Sequence, residues 1–268
     1  MTERERERRI RRIAVALSSE RSDAPVLETI AQLASEMAAE ITGVFVEDVD
    51  LLRLAQLPFA REVSLLTSAE RPLESAELER QLRVQAAAVQ RALASSAERA
   101  GVSWTFSVRR GPFATQLLEA TLDVDLTVLG ASRRELPHGE LHARTRIAWQ
   151  SAAARNPVVI VYDGSDASAR ALKIAVRLAR GSARPLTVLL AVRRVEEVEA
   201  VRARAQAFLG GEPALYRRIP GSELHDVLRA ARGESAGILV LGAGEALLAP
   251  EIIKQLREEL PCAALLVR

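Results

Sequence analysis

Asn156-Pro157-Val158-Val159-Ile160-Val161-Tyr162-Asp163-Gly164-Ser165-Asp166 decides the fold. Its apolar run has no polar alternation, which predicts a strand buried on both faces rather than one facing water. Asp-Gly-Ser marks a turn, and Asp166 is placed to cap the helix that follows. The stretch lies near the middle of the chain, and the residues on either side of it read as two versions of one unit.

Working back towards the N-terminus, Arg12 to Ser18 is a strand with Ile13 to Leu17 as its apolar body. Val26, Ile30, Leu33 and Met37 then recur at helical spacing, with Pro25 in the first turn. Strands follow at Ile41 to Val46, Val102 to Val108 and Asp125 to Gly130, with a helix carrying Leu78, Leu82, Val89 and Leu93 before Gly101. The long connection from Glu47 to about Glu74 carries Leu51, Leu52, Leu54, Leu57, Phe59, Leu65 and Leu66. So apolar a segment is expected to fold back as short helices over the sheet or a partner, and the Leu51 to Leu66 portion is the expected contact surface. After Gly130 the chain turns polar and basic through Arg133, Arg134 and His138, and a helix is expected over about Ala143 to Ala154.

Towards the C-terminus the order repeats: a helix with Ala171, Ile174 and Leu178, then strands at Leu186 to Val192, Ala214 to Ile219, Gly237 to Gly242 and Ala263 to Val267, separated by helices. Strands alternating with helices imply right-handed βαβ units and a parallel, doubly wound sheet. The expected class is α/β, two such sheet domains in tandem, about nine strands in all, divided at residues 1–154 and 155–268.

With 49% apolar residues over 268 positions, a core can be buried without cross-links. Aromatics are only 3%, so that core must be Leu, Val, Ile and Ala. A net charge of +2 gives little reason to expect a nucleic-acid partner. The Glu/Arg-rich stretch from Met1 to Arg12 reads as a solvated lead-in to the first strand, with an RNA or membrane contact as the alternative. The single cysteine, Cys262, excludes an intrachain disulfide and reads as a small core residue. No run approaches the ~20 apolar residues of a membrane span, and the patch at Ile13 to Leu17 is too short for a secretory signal; a cytoplasmic protein with no membrane contact is expected.

Two anchors match between the halves. Ala14 to Glu20 aligns with Ile160 to Asp166, and Leu126-Thr127-Val128-Leu129-Gly130-Ala131 aligns with Ile238-Leu239-Val240-Leu241-Gly242-Ala243; Gly111 and Gly221 also correspond. These residues, with Pro261-Cys262 before the last strand, resemble the universal stress protein family, seen twice in tandem. Two complete copies would hold ten strands and the pattern supplies nine. The strand at 157–162 is assigned to the second copy, so the first lacks its edge strand. That edge is expected to be covered by the second copy or by another subunit.

The resemblance implies a place for an adenine nucleotide: an Asp after the first strand for the adenosine, and a pattern of glycines after the fourth for the phosphates. Bare amides at a helix N-terminus would face the anion there. In the first copy Leu17 stands at the Asp position, and Arg133, Ala143 and Arg144 replace the later glycines and hydroxyl. The second copy keeps Asp163, Gly164 and Ser165, followed by Gly242 and, one residue early, Gly244; Glu245, Gln255 and Leu256 occupy the remaining motif positions. A carboxylate beside a phosphate is repulsive by on the order of 4 kcal/mol at close range and moderate dielectric. The five retained residues, Asp163, Gly164, Ser165, Gly242 and Gly244, are therefore the candidate nucleotide site, and the alternative is a turn, a helix start and a tight strand exit.

Other constellations carry less. His138, Glu140 and His142 share a polar loop without convergent ligands, His225 is expected exposed in a helical first turn, and no metal site is expected. No Ser-His-Asp or Cys-His arrangement can be argued from spacing, so no catalytic residue is assigned. Asp163 read as a phosphoacceptor would need further acids and a lysine on neighbouring strand ends, where Arg193, Arg194 and Gly242 stand instead. The expected function is non-enzymatic: protein interaction or homodimer formation in a stress or regulatory role implied by the resemblance. The alternatives are an ATP- or AMP-binding sensor through the second copy and, ranked below it, a slow ATPase.

Overall fold

The computed structural model describes residues 10–17, 24–63, 70–130, 156–260 and 262–268. The strands, in chain order, are β1 (Arg12–Leu17), β2 (Glu40–Asp48), β3 (Arg61–Val63), β4 (Glu70–Pro72), β5 (Trp104–Gly111), β6 (Leu126–Leu129), β7 (Val158–Tyr162), β8 (Leu186–Ala191), β9 (Ala214–Ile219), β10 (Ile238–Gly242) and β11 (Ala263–Val267). The helices are α1 (Ala24–Met37), α2 (Val49–Leu54), α3 (Ser75–Arg99), α4 (Phe113–Ala120), α5 (Asp166–Ser182), α6 (Val198–Leu209), α7 (Leu224–Gly233) and α8 (Pro250–Glu259). The helix expected at 143–154 and the basic loop before it lie outside the described residues.

Nine strands form one sheet in the order β5-β2-β1-β6-β11-β10-β7-β8-β9. The class, the doubly wound layering and the nine strands of this sheet agree with the sequence expectation. Every neighbouring pair is parallel except β6 and β11, which run antiparallel with Val128 opposite Leu265 and Leu126 opposite Val267. The edge of β6 is therefore covered by the last strand of the second half, one of the two coverings expected. Because the direction reverses there, the carboxyl ends of the first four strands and of the last five point to opposite ends of the sheet.

Period-two alternation decides which residues fill which layer. Ile13, Val15, Val158, Ile160, Ile238, Val240 and Leu265 face a core closed by α1, α3, α5 and α6. Ala16, Val159, Val161, Leu239, Leu241 and Leu266 face the other, closed by α4, α7 and α8. The inner strands are buried on both sides, which is why they read as unbroken apolar runs. Cys262 lies in the second layer, and burial pushes its thiol up to about 12, so it is the inert core residue expected.

Side chains reinforce the seam between the halves. The Arg268 N–H donates to the Asp125 carbonyl at 3.0 Å, and Arg170 Nε on α5 donates to the Arg268 carbonyl at 2.8 Å. The Asp125 carboxylate accepts from the backbone N–H groups of Arg11 and Arg12 at 2.7 and 3.0 Å. Arg257 on α8 lies 4.0 Å from the Phe113 ring centroid and 3.6 Å from the Asp48 carboxylate, so one guanidinium bridges α4, β2 and α8.

The connection between β2 and α3 departs from expectation in kind. Its described residues form one short helix, α2, and the antiparallel ribbon β3–β4 rather than helices alone, while Leu65 and Leu66 lie outside the described residues. Asp48 caps α2 by accepting from the Asp50 N–H at 3.1 Å.

Leu265 is fully buried between the two blocks of strands, and Leu265→Ala is expected to cost roughly 2–5 kcal/mol. Both tryptophans, Trp104 and Trp149, precede the central strand. In urea the variant's tryptophan fluorescence and its circular dichroism should shift together, although the substitution lies in the other half. A fluorescence transition unchanged from that of the parent protein would show that the halves unfold independently.

Candidate functional site

The crevice of a doubly wound sheet opens at the carboxyl ends of its strands where the winding reverses. In the second half that place lies between β7 and β10, which are hydrogen-bonded neighbours. Asp163, Gly164 and Ser165 leave β7 there, and Gly242 ends β10 beside them. The structure thus brings four of the five candidate residues to one place. Gly244 stands two residues on, N-capping the 3₁₀ turn that leads to α8.

The Asp-Gly-Ser turn forms for local reasons. Gly164 has φ of +84°, a left-handed conformation that glycine takes without strain. Asp163 Oδ1 accepts from the Ser165 N–H at 2.9 Å, closing an Asx turn. Ser165, rather than the expected Asp166, is the N-cap of α5: its Oγ accepts from the Ser168 N–H at 3.2 Å. Asp166 has already entered the first turn, where its charge suits the helix dipole. Ser168 is buried, and its Oγ donates to the Ser165 carbonyl at 2.9 Å. Sequence reading passed over Ser168; its signal was the Ser-x-x-Ser spacing at a helix start.

Burial would push the Asp163 carboxyl up, but hydrogen bonds from Ser165 and Ser168 outweigh that and hold it below the ordinary carboxylate value. Asp163 is accordingly an anion at neutral pH, and its acceptor capacity is partly spent within its own turn. The Arg204 guanidinium, on α6, lies 3.4 Å from where a Cβ of Gly164 would be. Arg204 is one of two arginines on α6 and carries no local sequence signal, so it was missed.

Gly242 has a packing reason to be glycine. A Cβ built on it would stand 2.5 Å from the Ala167 carbonyl carbon and 2.6 Å from the Ser168 nitrogen, which are backbone atoms of the first turn of α5. Its counterpart Gly130 has only the Ala16 carbonyl oxygen near, at 3.6 Å. Nothing lies within 4 Å of the corresponding position at Gly244. So Gly242 serves the approach of helix to strand whether or not an anion is ever present. Arg133, Arg134, His138, His142, Ala143 and Arg144 lie outside the described residues. His225 is exposed in the first turn of α7, as expected, and pairs with Arg229. Among the described residues no three His, Cys, Asp or Glu side chains gather as a metal site would require, and no helix is long and apolar enough to cross a membrane.

This geometry separates the two glycines experimentally. Gly242→Ala should cost about 1–3 kcal/mol, because the added methyl meets backbone that cannot turn aside. Gly244→Ala should stay within about 0.5 kcal/mol. Urea denaturation at neutral pH reads both; a tolerated Gly242→Ala would contradict the packing assignment.

No family model matches the chain. A protein of Thermus aquaticus, described as "Universal stress protein in QAH/OAS sulfhydrylase 3'region", is 33% identical over 135 residues, taking in 41% of this chain and 97% of that protein. Among solved structures, a universal stress protein from Archaeoglobus fulgidus matches 95% of this chain and 98% of its own at a TM-score of 0.50 with 13% identity, a likeness of fold. A universal stress protein solved in complex with cAMP matches 42% of this chain and 96% of its own at a TM-score of 0.36 with 22% identity. Near-complete coverage of the Thermus protein at that identity, on a chain with this strand order and a strand–Asp-Gly-Ser–helix start to its second half, shows that the chain belongs to the universal stress protein family.

Proposed function

We propose that this universal stress protein works without chemistry of its own, by presenting a surface to a protein partner. One observation carries the reading. The connection after β2 leaves Leu51, Leu54, Leu57 and Phe59 exposed, at 38%, 52%, 39% and 75%, on a segment that is otherwise fixed to the first half. Scattered exposed leucines need no explanation, but four large apolar side chains within nine residues of sequence do.

The crevice supports the same reading from the other side. The Asp163 carboxylate is engaged in its own turn, α5 backbone fills the space beside Gly242, and Arg204 lies over Gly164. The later motif positions carry Glu245, Gln255 and Leu256 where the family pattern asks for small residues and a hydroxyl. A carboxylate and two side chains without a hydroxyl there give a phosphate group little to hold.

A second reading, an ATP- or AMP-binding sensor, is favoured by the ionised Asp163 at the crevice and by a guanidinium within reach of an anion. Titration calorimetry separates the two. The interaction reading expects no binding heat from ATP or AMP up to about 1 mM, a ceiling of roughly −4 kcal/mol in affinity. Binding of either nucleotide that disappears in Asp163→Ala would overturn it in favour of the sensor.

A further inference from the structure

We infer that the open edge of β5 takes an extended segment of another protein as a further strand, the segment carrying an acid beside a run that alternates apolar and polar residues; the inference rests on the interaction reading above and names the chemistry of its partner.

Among the described residues the sheet ends in two strands paired on one side only, β5 and β9. They are equivalents: with Gly111 matched to Gly221, Trp104 and Ala214 begin the two strands at the same place. Native sheets blunt such edges with brevity, charge or proline. β9 uses all three. It is six residues long, carries Arg217 and Arg218, and stops at Pro220, which has no N–H to offer. β5 runs for eight residues, and its first five, Trp104-Thr105-Phe106-Ser107-Val108, hold no charge.

The free backbone groups of β5 follow from its pairing. The Ile41 N–H donates to the Ser103 carbonyl at 2.9 Å. Alternation then turns the N–H and C=O groups of Thr105, Ser107 and Arg109 towards β2, and those of Trp104, Phe106, Val108 and Arg110 outwards. No described backbone group bonds to this outer row. Its apolar side chains share one face. Trp104 and Phe106 pack against the core under α3, and Val108 beside them is 49% exposed. Phe106 also packs against the cluster that holds Leu52 and Ala55, so the edge borders the exposed connection.

Charge selects the partner. β5 holds Arg109 and Arg110 and no acid. Arg110 is already matched, donating to Glu47 at 2.9 Å and to Glu79 at 3.5 Å. Arg109 is half-buried, and its buried Nε has no hydrogen-bond partner among the described residues. Such a donor is costly to leave unmade, and a carboxylate answers it with a charge-assisted bond. A second copy of β5 would bring two more arginines and no acid. An antiparallel strand, the more stable pairing, sets an acid opposite Arg109 when its next five residues run apolar, polar, apolar, polar, apolar, opposite Val108, Ser107, Phe106, Thr105 and Trp104.

Fluorescence anisotropy with the full chain and a labelled peptide, Asp-Val-Thr-Val-Thr-Val between Gly-Ser flanks, tests the inference. The peptide should bind with a Kd at or below about 100 μM, the range of small transient interfaces. Replacing its aspartate by lysine, or N-methylating its valines so that their N–H groups are lost, should weaken binding about tenfold or more. Val108→Pro removes one outward N–H without touching the β2 ladder, and should weaken binding as much while leaving the far-ultraviolet spectrum unchanged. Arg109→Glu should reverse the preference between the aspartate and lysine peptides. No binding up to about 1 mM, equal binding of the lysine or N-methylated peptide, or an edge that pairs only with β5 of a second copy would overturn the inference. These outcomes leave the nucleotide calorimetry untouched, so loss of this edge site and loss of the interaction reading are told apart.

Discussion

The structure depends on one hydrogen-bonded pairing, that of β6 with β11. A parallel block of four strands, β5-β2-β1-β6, would end in a row of unpaired N–H and C=O groups beside Leu126 to Leu129. The last strand of the chain covers that row, running the opposite way. It is a small interaction by length, four residue pairs, but it has consequences at every level. It joins two blocks into one sheet and makes each hydrophobic layer continuous across the seam. It also sends the two sets of strand ends to opposite ends of the molecule. The side chains around it follow: Asp125 gathers the N–H groups at the start of β1, the chain terminus is held by Asp125 and Arg170, and Arg257 ties α8 to α4 and β2.

The repeat turns comparison inward, since the chain contains two solutions to one packing problem. The second half keeps its Asp-Gly-Ser turn, a well-capped α5 and a glycine that lets α5 approach β10. The first half has Leu17 where that aspartate would be and carries α2 and the β3–β4 ribbon between β2 and α3. Features shared by the halves belong to the fold; features found in one only are candidates for function. By that test both the Asp163 turn and the exposed leucines of the first half are candidates for function, although Ser165 and Ser168 account for the shape of the turn and the shorter connection of the second half exposes Val195.

Much of the fold was legible because the inner strands are buried on both faces. Val158 to Tyr162, between Pro157 and Asp163, and Ile238 to Leu241, between Gly237 and Gly242, have no alternative as apolar runs of strand length, and Ala263 to Val267 is a like run after Pro261-Cys262. Edge strands were less legible. β5 runs on to Gly111 through Arg109 and Arg110, whose charges suit a solvent edge and hid three residues of strand. The β3–β4 ribbon was invisible because its sequence, Arg61-Glu62-Val63 and Glu70-Arg71-Pro72, has neither apolar alternation nor a two-residue turn between its arms. At the site, sequence found the residues that bend the backbone and missed those that arrive from elsewhere. Arg204 reaches Gly164 from α6, forty positions away, and only tertiary structure shows that. The packing reason for Gly242 is likewise unreadable from its own strand, since the atoms that exclude a side chain belong to the first turn of α5.

Continuity of the sheet across its midline is the claim on which the rest stands, and native-state hydrogen exchange of backbone amides in β6 and β11 tests it most directly. Paired and buried on both faces, Val128 and Leu265 should exchange only through global unfolding, at the same free energy as Ile160 in the centre of the second block. Exchange of the β6 amides as fast as those of the edge strand β9, with β7 still protected, would mean that the two blocks part readily and would contradict the account.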